Sequence, residues 1–418
     1  MLRIVNSTEV SELLRDPVNA KTLAAAAVIV DAVKAGGDAA LRKYAEQFNE
    51  IAAGAPLTKS RDEMRGVYES LPKTDQDLLQ RAATRIRAFA QAQRASIQDI
   101  ETKIAGGVAG QSVAAVERAG CYAPGGRYPL PSSVLMTAIS ARVAGVDHVI
   151  VASPKPAPIT IAAAYVAGAD MLLCAGGAQA IAALAFGTET IPKCDVVVGP
   201  GNRYVTAAKQ LVSGRVGIDM LAGPSELVVV ADASADPKTI AADLLAQAEH
   251  DPDALPILIS TSKDIIDAAN MELARQLPLL PSRDTASAAL INGYAILAAS
   301  IDEAASASDL IAPEHLELLC ENAQAIASKF RHYGALFVGS GAAEVLGDYG
   351  AGPNHTLPTG GTARFTGGLS VFHFLRIRTW MRIDDQAAAQ ELVSDAVALA
   401  RHEGLEAHAR SAELRLKG

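Results

Sequence analysis

Beyond about residue 110 the apolar positions fall into two kinds of run that take turns along the chain. Short runs rich in β-branched residues show no polar alternation: HVIVAS at 148–153, MLLCAGG at 171–177, DVVVGPGN at 195–202, ELVVVAD at 226–232, LPILIST at 255–261, YAILAAS at 294–300 and ALFVGS at 335–340. Ala-rich stretches with helical spacing separate them, as at 159–167, 178–186 and 203–212. A strand that is apolar on both sides is covered on both faces, which predicts parallel sheets sandwiched by helices. The expected class is α/β, with two doubly wound, incomplete Rossmann-like domains and a small helical C-terminal unit.

One domain is expected over 119–223. The other joins 16–118 with 224–360, because the AGPSE turn at 222–226 returns the chain. Residues 1–15 and 361–418 are left as small terminal units. The N-terminal third reads as mostly helical, with Asp38 a cap after Gly36 and Gly37. The stretch 341–370 reads as a long Gly/Pro/Thr-rich loop, and loops of that length in compact chains are functional or linkers. After residue 385, DQAAAQELVSDAVALARHEG reads as a helix.

Composition narrows the class. The chain has 418 residues, half of them hydrophobic and a fifth charged, as in a soluble globular enzyme. A net charge of -9 argues against nucleic acid, which needs a clustered basic face. The local basic clusters at Arg331–His332 and LRIRTWMR, 375–382, read as solvated faces. The start MLRIVNSTEV has no apolar signal core, so a cytoplasmic location is expected. The most apolar stretch, 159–187, is interrupted by Asp170, Gly176, Gly177 and Gln179 and reads as a buried helix–strand–helix unit, not a bilayer span. Cys121, Cys174, Cys194 and Cys320 show no CxxC spacing and read as small buried hydrophobes.

Metal-binding and proton-moving side chains concentrate in four distant stretches: AQAEHD at 246–251, APEHLE at 312–317, GDYGAGPNH at 347–355 and EGLEAH at 403–408. Gln247 and His250 lie three apart in a helical pattern, which puts both on one face where a divalent metal can be gripped. Against this stands a helix C-terminus whose dipole favours His250. Asp348 and His355 offer donor types that suit zinc, or are a turn Asp and a loop His. Glu314 and His315 precede an apolar strand; they suit acid–base work, or form a surface pair at a strand edge. Glu403 and His408 would ordinarily be solvated tail residues. The turns AGGAQA, 175–180, and VGPGNRY, 198–204, each follow a strand and open a helix, so their N–H groups offer a pyrophosphate site. Neither is a GxGxxG fingerprint, and tight strand–helix packing explains the glycines nearly as well.

Taken together and in this order, GCYAPGGRYPLPSSVLM, GGAQAIAALAFGTETIP, VGPGNRYV, AGPSE, DLLAQAEHD, APEHLE, GDYGAGPNHTLPTGGTARF and EGLEAH resemble the histidinol dehydrogenase family over roughly residues 20 to 415. The resemblance implies oxidation of L-histidinol to L-histidine through the aldehyde, the last two steps of histidine biosynthesis, with NAD and one zinc per subunit. It implies Gln247, His250, Asp348 and His408 as zinc ligands, with the substrate's imidazole and amine completing the set. Glu314 and His315 become the acid–base pair, and Ser225 and Glu403 further substrate contacts beside Gln247, His250, His315, Asp348 and His408. His355 is a further candidate substrate contact. Tyr122, Gln179 and Asn202 match the family's NAD contacts. A homodimer is implied, with Glu403 and His408 of the C-terminal unit completing the neighbour's site.

Three positions depart from the family pattern. Arg127 and Tyr128 follow PGG where many members carry small residues, and Trp380 stands where many have a small or β-branched one. Related dehydrogenases with the same metal constellation oxidise other primary alcohols, such as sulfonated propanediols; Arg127 would suit an anionic substrate, but reads rather as a surface or cofactor-phosphate contact. A zinc-stabilised binding protein without turnover is the non-enzyme alternative; the intact Glu314–His315 pair speaks against it.

Overall fold

The computed structural model describes residues 1–6, 9, 18–125 and 128–416. Arg127 and the expected domain start at residue 16 lie outside the described residues. The chain forms two compact units. The first is Met1–Gln91 with Val116–Phe374, and the second is Ala92–Ala115 with Leu375–Gly418.

The first unit holds two six-stranded sheets. In chain order its strands are β1 (Arg3–Val5), β2 (Thr58–Ser60), β5 (Arg118–Tyr122), β6 (His148–Ala152), β7 (Met171–Leu173), β8 (Val196–Val198), β9 (Gly217–Ile218), β10 (Glu226–Ala231), β11 (Leu255–Ser260), β12 (Tyr294–Leu297), β13 (His315–Leu319) and β14 (Ala335–Val338); β3 (Ile100–Ile104), β4 (Gly107–Ala115) and β15 (Leu375–Ile383) belong to the second unit. One sheet has the order β1-β12-β11-β10-β13-β14 and is parallel throughout. The other has the order β2-β7-β6-β5-β8-β9, parallel except for the β2–β7 edge pair. Every residue of β10, β11 and β13 is buried. Unalternating apolar runs do this because helices cover both faces.

The sheets draw on the N-terminal segment differently from the expected boundaries. Thr58–Ser60 pairs with Met171–Leu173, so part of 16–118 joins the sheet of 119–223. Arg3–Val5 adds an edge strand to the other sheet by pairing with Tyr294–Ile296. Three-residue edge strands leave too little periodicity to read in advance. The helix Ala20–Gln47 is interrupted at Gly37, whose φ of 51° breaks the ladder. Asp38, expected as a helix cap, accepts a hydrogen bond from the Thr190 hydroxyl instead.

The second unit contains the three-stranded antiparallel sheet β15-β4-β3. A mostly helical N-terminal third is therefore corrected at 100–115, where small residues such as those of GVAGQSVAA hide the strand pattern. Trp380 on β15 pairs with Gly110 on β4, and a Cβ at Gly110 would come within 2.6 Å of the indole and 2.7 Å of the Ile100 carbonyl. The glycine is what lets the ring lie flat on the sheet. The helices Gln390–His402 and Glu406–Glu413 complete this unit.

Among the described residues no helix is long and apolar enough to cross a membrane. The four cysteines are free thiols. Burial pushes Cys121 and Cys320 up to about 12 and raises Cys174 and Cys194 as well, so none is a thiolate near neutrality.

Candidate active site

The parallel pairing of β10 with β13 brings Leu227 opposite His315, so Glu226 and Glu314 meet at the starting ends of both strands. Glu314 Oε2 accepts the Glu226 N–H at 2.9 Å, and the Ser225 side chain bonds the same carboxylate. The helix Pro237–Ala248 follows β10 and runs back toward the starting ends of the strands. Its last turn carries Gln247, fully buried, and His250 follows just past the helix end. Thus the two are not on one continuous helical face, but the tight turn still delivers both to the same place.

The other side comes from the stretch expected to be an open loop. It contains a short helix, Glu344–Asp348, whose two acidic residues are one turn apart. His250 Nε2 lies 3.8 Å from Glu344 Oε1 and 3.7 Å from Asp348 Oδ2. Donor atoms of His250, Glu344 and Asp348 all fall within 4.8 Å of one another. Gln247 meets the same carboxylate: with its amide turned so that both groups are satisfied, its nitrogen donates to Glu344 Oε1 and Oε2 at 3.0 and 3.2 Å.

Two histidines have their tautomers set by backbone. His315 Nδ1 is 3.1 Å from the Glu226 carbonyl, which only accepts, so Nδ1 carries the proton. Nε2 is then a bare lone pair; it is buried without a hydrogen-bond partner among the described residues, 3.9 Å from Asp348 Oδ1. Likewise His355 Nδ1 donates to the Asp348 carbonyl at 2.9 Å, and its Nε2 meets the Ser133 hydroxyl at 3.2 Å. His355 therefore braces the backbone of Asp348.

Burial dominates the electrostatics. It lowers His315 to about 4, against the pull of Asp348, so the ring is neutral at pH 7. It also holds Glu314 well above the usual carboxylate range, with the Glu226 and Asp348 charges adding to the rise. Glu344 is raised in the same way, by burial first and then by Asp348, Glu317 and Glu314. Behind Glu344 stands a further pair: Glu317 accepts the Glu344 N–H at 2.7 Å and bonds Asp243. So much buried acid is costly unless protons or a cation neutralise it.

The donors are nitrogen and oxygen only, with imidazole, carboxylate and amide represented, and no thiolate is available. That set suits a divalent transition ion better than a hard ion caged by oxygens alone.

Of the expected site residues, the structure brings together Gln247, His250, Glu314, His315, Asp348, Ser225 and His355. Glu344 was missed; its only signal is the four-residue spacing to Asp348 inside a Gly-rich stretch. Glu403 caps the helix Gln390–His402 and His408 lies in the first turn of Glu406–Glu413; both are exposed and belong to the second unit. Tyr122 ends β5, Gln179 lies in the first turn of the helix Gly177–Phe186 and Asn202 caps the helix Arg203–Val212. There several N–H groups of the two glycine turns are already taken. Gly176 N–H is taken by Glu50 at 3.0 Å, Gly177 N–H by the Tyr122 hydroxyl at 3.3 Å and Gly199 N–H by Asp219 at 2.7 Å. Asn202 Oδ1 caps its own helix by accepting from Tyr204 and Val205.

Fold and site together describe an α/β enzyme with a buried acid–base pair beside a cluster of metal-binding donors. The family model described as histidinol dehydrogenase matches residues 15–416. A histidinol dehydrogenase of Thermus thermophilus is 47% identical over 390 residues, covering 93% of each chain, and that of Aromatoleum aromaticum is 45% identical over 405 residues, covering 95% of this chain and 92% of the other. The crystal structure of histidinol dehydrogenase from Elizabethkingia anophelis superposes with a TM-score of 0.91 at 34% identity, covering 99% of this chain and 98% of that one. The chain belongs to the histidinol dehydrogenase family and is an oxidoreductase.

Proposed function

We propose that this protein oxidises L-histidinol to L-histidine through L-histidinal, with NAD as acceptor and one zinc ion per subunit, as the closing steps of histidine biosynthesis in the cytoplasm. The observation that carries the reading is the lone pair of His315 Nε2, buried, unpartnered among the described residues and facing Asp348. Gln247, His250 and Asp348, with His408 supplied by a second copy, would hold the zinc. When bound, the ion orients the substrate through its imidazole and amine. A bound NAD would supply the hydride acceptor for both oxidations.

The chain's own residues move the protons. His315 Nε2 takes the hydroxyl proton as the alcohol becomes an aldehyde, and its Nδ1–H, anchored on Glu226, holds the ring in place. Glu314 takes a proton from the water that adds to the aldehyde carbon; its raised pKa makes it a stronger base once ionised. The resulting hydrate loses the second hydride to give the acid. Ser225 and Glu403 contact substrate, and Glu403 and His408 complete the site of the partner in a homodimer. Tyr122, Gln179 and Asn202 contact NAD.

The test is direct. Purified protein with zinc, NAD and L-histidinol should form two NADH per histidine produced. Absence of NADH with histidinol, alongside turnover of a different primary alcohol, would replace the substrate.

A further inference from the structure

The start of the helix Gly177–Phe186 is closed by acid. Glu50 Oε2 accepts both the Gly176 N–H and the Gln179 Nε2–H at 3.0 Å. The next N–H, of Gly177, goes to the Tyr122 hydroxyl. A phosphate at this helix end would have to displace a carboxylate, and two of the N–H groups there are already engaged.

The unpartnered oxygens here are acceptors, and the one cation that acts on Glu50 among the described residues is Lys155. Because the carboxylate takes the Gln179 amide nitrogen, the amide's orientation is fixed and its oxygen faces the other way. That oxygen is buried, in a side chain only 1% exposed, and has no partner among the described residues. Among the described residues Glu50 Oε1 likewise accepts nothing. The buried Ser153 hydroxyl, also without a partner among the described residues, lies 2.9 Å from where a Cβ on Gly125 would sit. Two acceptor oxygens and a hydroxyl ask for a ligand rich in O–H groups. A ribose diol offers them, whereas a phosphate at neutral pH offers only more acceptors and negative charge.

We propose that Glu50 is the residue that selects NAD over NADP: its carboxylate, held at the start of this helix beside Gln179, receives ribose hydroxyls of the dinucleotide and repels a 2′-phosphate. This rests on the NAD reading above. An acid that bonds the adenosine ribose is a general device for this choice, and here the chain supplies it from the segment after its first helix rather than from the end of a strand.

The experiment compares NAD and NADP as acceptors for histidinol oxidation in the zinc-loaded full chain, for wild type, Glu50→Gln and Glu50→Ala. Wild type should prefer NAD. Both variants should lose about 10- to 100-fold of the NAD/NADP ratio in kcat/KM, since juxtaposed like charges are costly and the substitution removes one. The change should be carried by KM for the coenzyme, with NADP improving in Glu50→Gln. Glu50→Gln keeps the shape and decides the matter alone if Glu50→Ala does not fold. Wild type that uses NAD, with a Glu50→Gln variant that keeps the same ratio, overturns this assignment and leaves the NAD reading standing. Wild type that reduces neither coenzyme overturns both.

Discussion

Gln247 donates its amide to the carboxylate of Glu344 across 3.0 Å, and this contact closes the ring of donors around the candidate metal position. One residue comes from the end of a helix behind β10 and the other from a five-residue helix within the Gly-rich stretch after β14. The contact consumes the amide nitrogen, so the amide oxygen is what Gln247 can offer an ion.

The purified protein should hold one divalent metal per subunit by elemental analysis. Replacing Gln247 or His250 by Ala should lose metal and activity together. Replacing Cys121, Cys194 or Cys320 should leave metal content unchanged, because their thiols are held protonated away from the donor set. X-ray absorption showing sulfur in the coordination sphere would reject the assignment.

If Glu403 and His408 serve the neighbouring copy, two dead variants should rescue one another. His408→Ala and His315→Ala, mixed under conditions that exchange subunits, should recover about a quarter of wild-type activity, since half the dimers are mixed and each holds one intact site. Demonstrated exchange without recovery would mean that each site is built within one chain.

Glu314→Gln should harm the second oxidation more than the first. The alcohol step uses His315 as base, while the aldehyde step needs water to be deprotonated as it adds. General-base help is typically worth roughly 10²–10⁴ in rate, so supplying histidinol and histidinal separately and following NADH from each should show the gap. Equal slowing would assign Glu314 to orienting its neighbours. Hydration of the aldehyde in solution must be matched between samples.

Acid behind the site should make stability fall as pH rises. Burial raises Glu317 to about 8, with Asp243 adding to it, and burial raises Asp243 to about 6. Both folded values exceed the ordinary ones, so the folded state binds more protons between about pH 4 and 8 and loses stability across that window. Urea melts of metal-free protein should show stability falling steadily from about pH 5 to about pH 8. In Glu317→Gln, which can still accept from Glu344 N–H and donate to Asp243, the decline should shrink markedly. An unchanged pH slope would show that the pair is not the source.

The sequence by itself determined the α/β class and most of the parallel strands, because a buried strand needs an unbroken apolar run and Ala-rich spacing marks the helices between. It also picked out Gln247, His250, Glu314, His315 and Asp348, since few residue types bind metal or move protons and motif order carries that information. It did not reveal the antiparallel β3–β4 hairpin, whose glycines and alanines blur alternation, nor the three-residue edge strands. Only tertiary structure decided which histidine nitrogen is free. A backbone carbonyl, Glu226 for His315 and Asp348 for His355, has no signature in side-chain identity. The same holds for Glu344, an ordinary surface-type residue until a five-residue helix buries it against Gln247, and for Glu50, which reaches the start of a helix more than a hundred residues later. Distance along the chain hides such partners; folding makes them neighbours, and burial without water makes their charges matter.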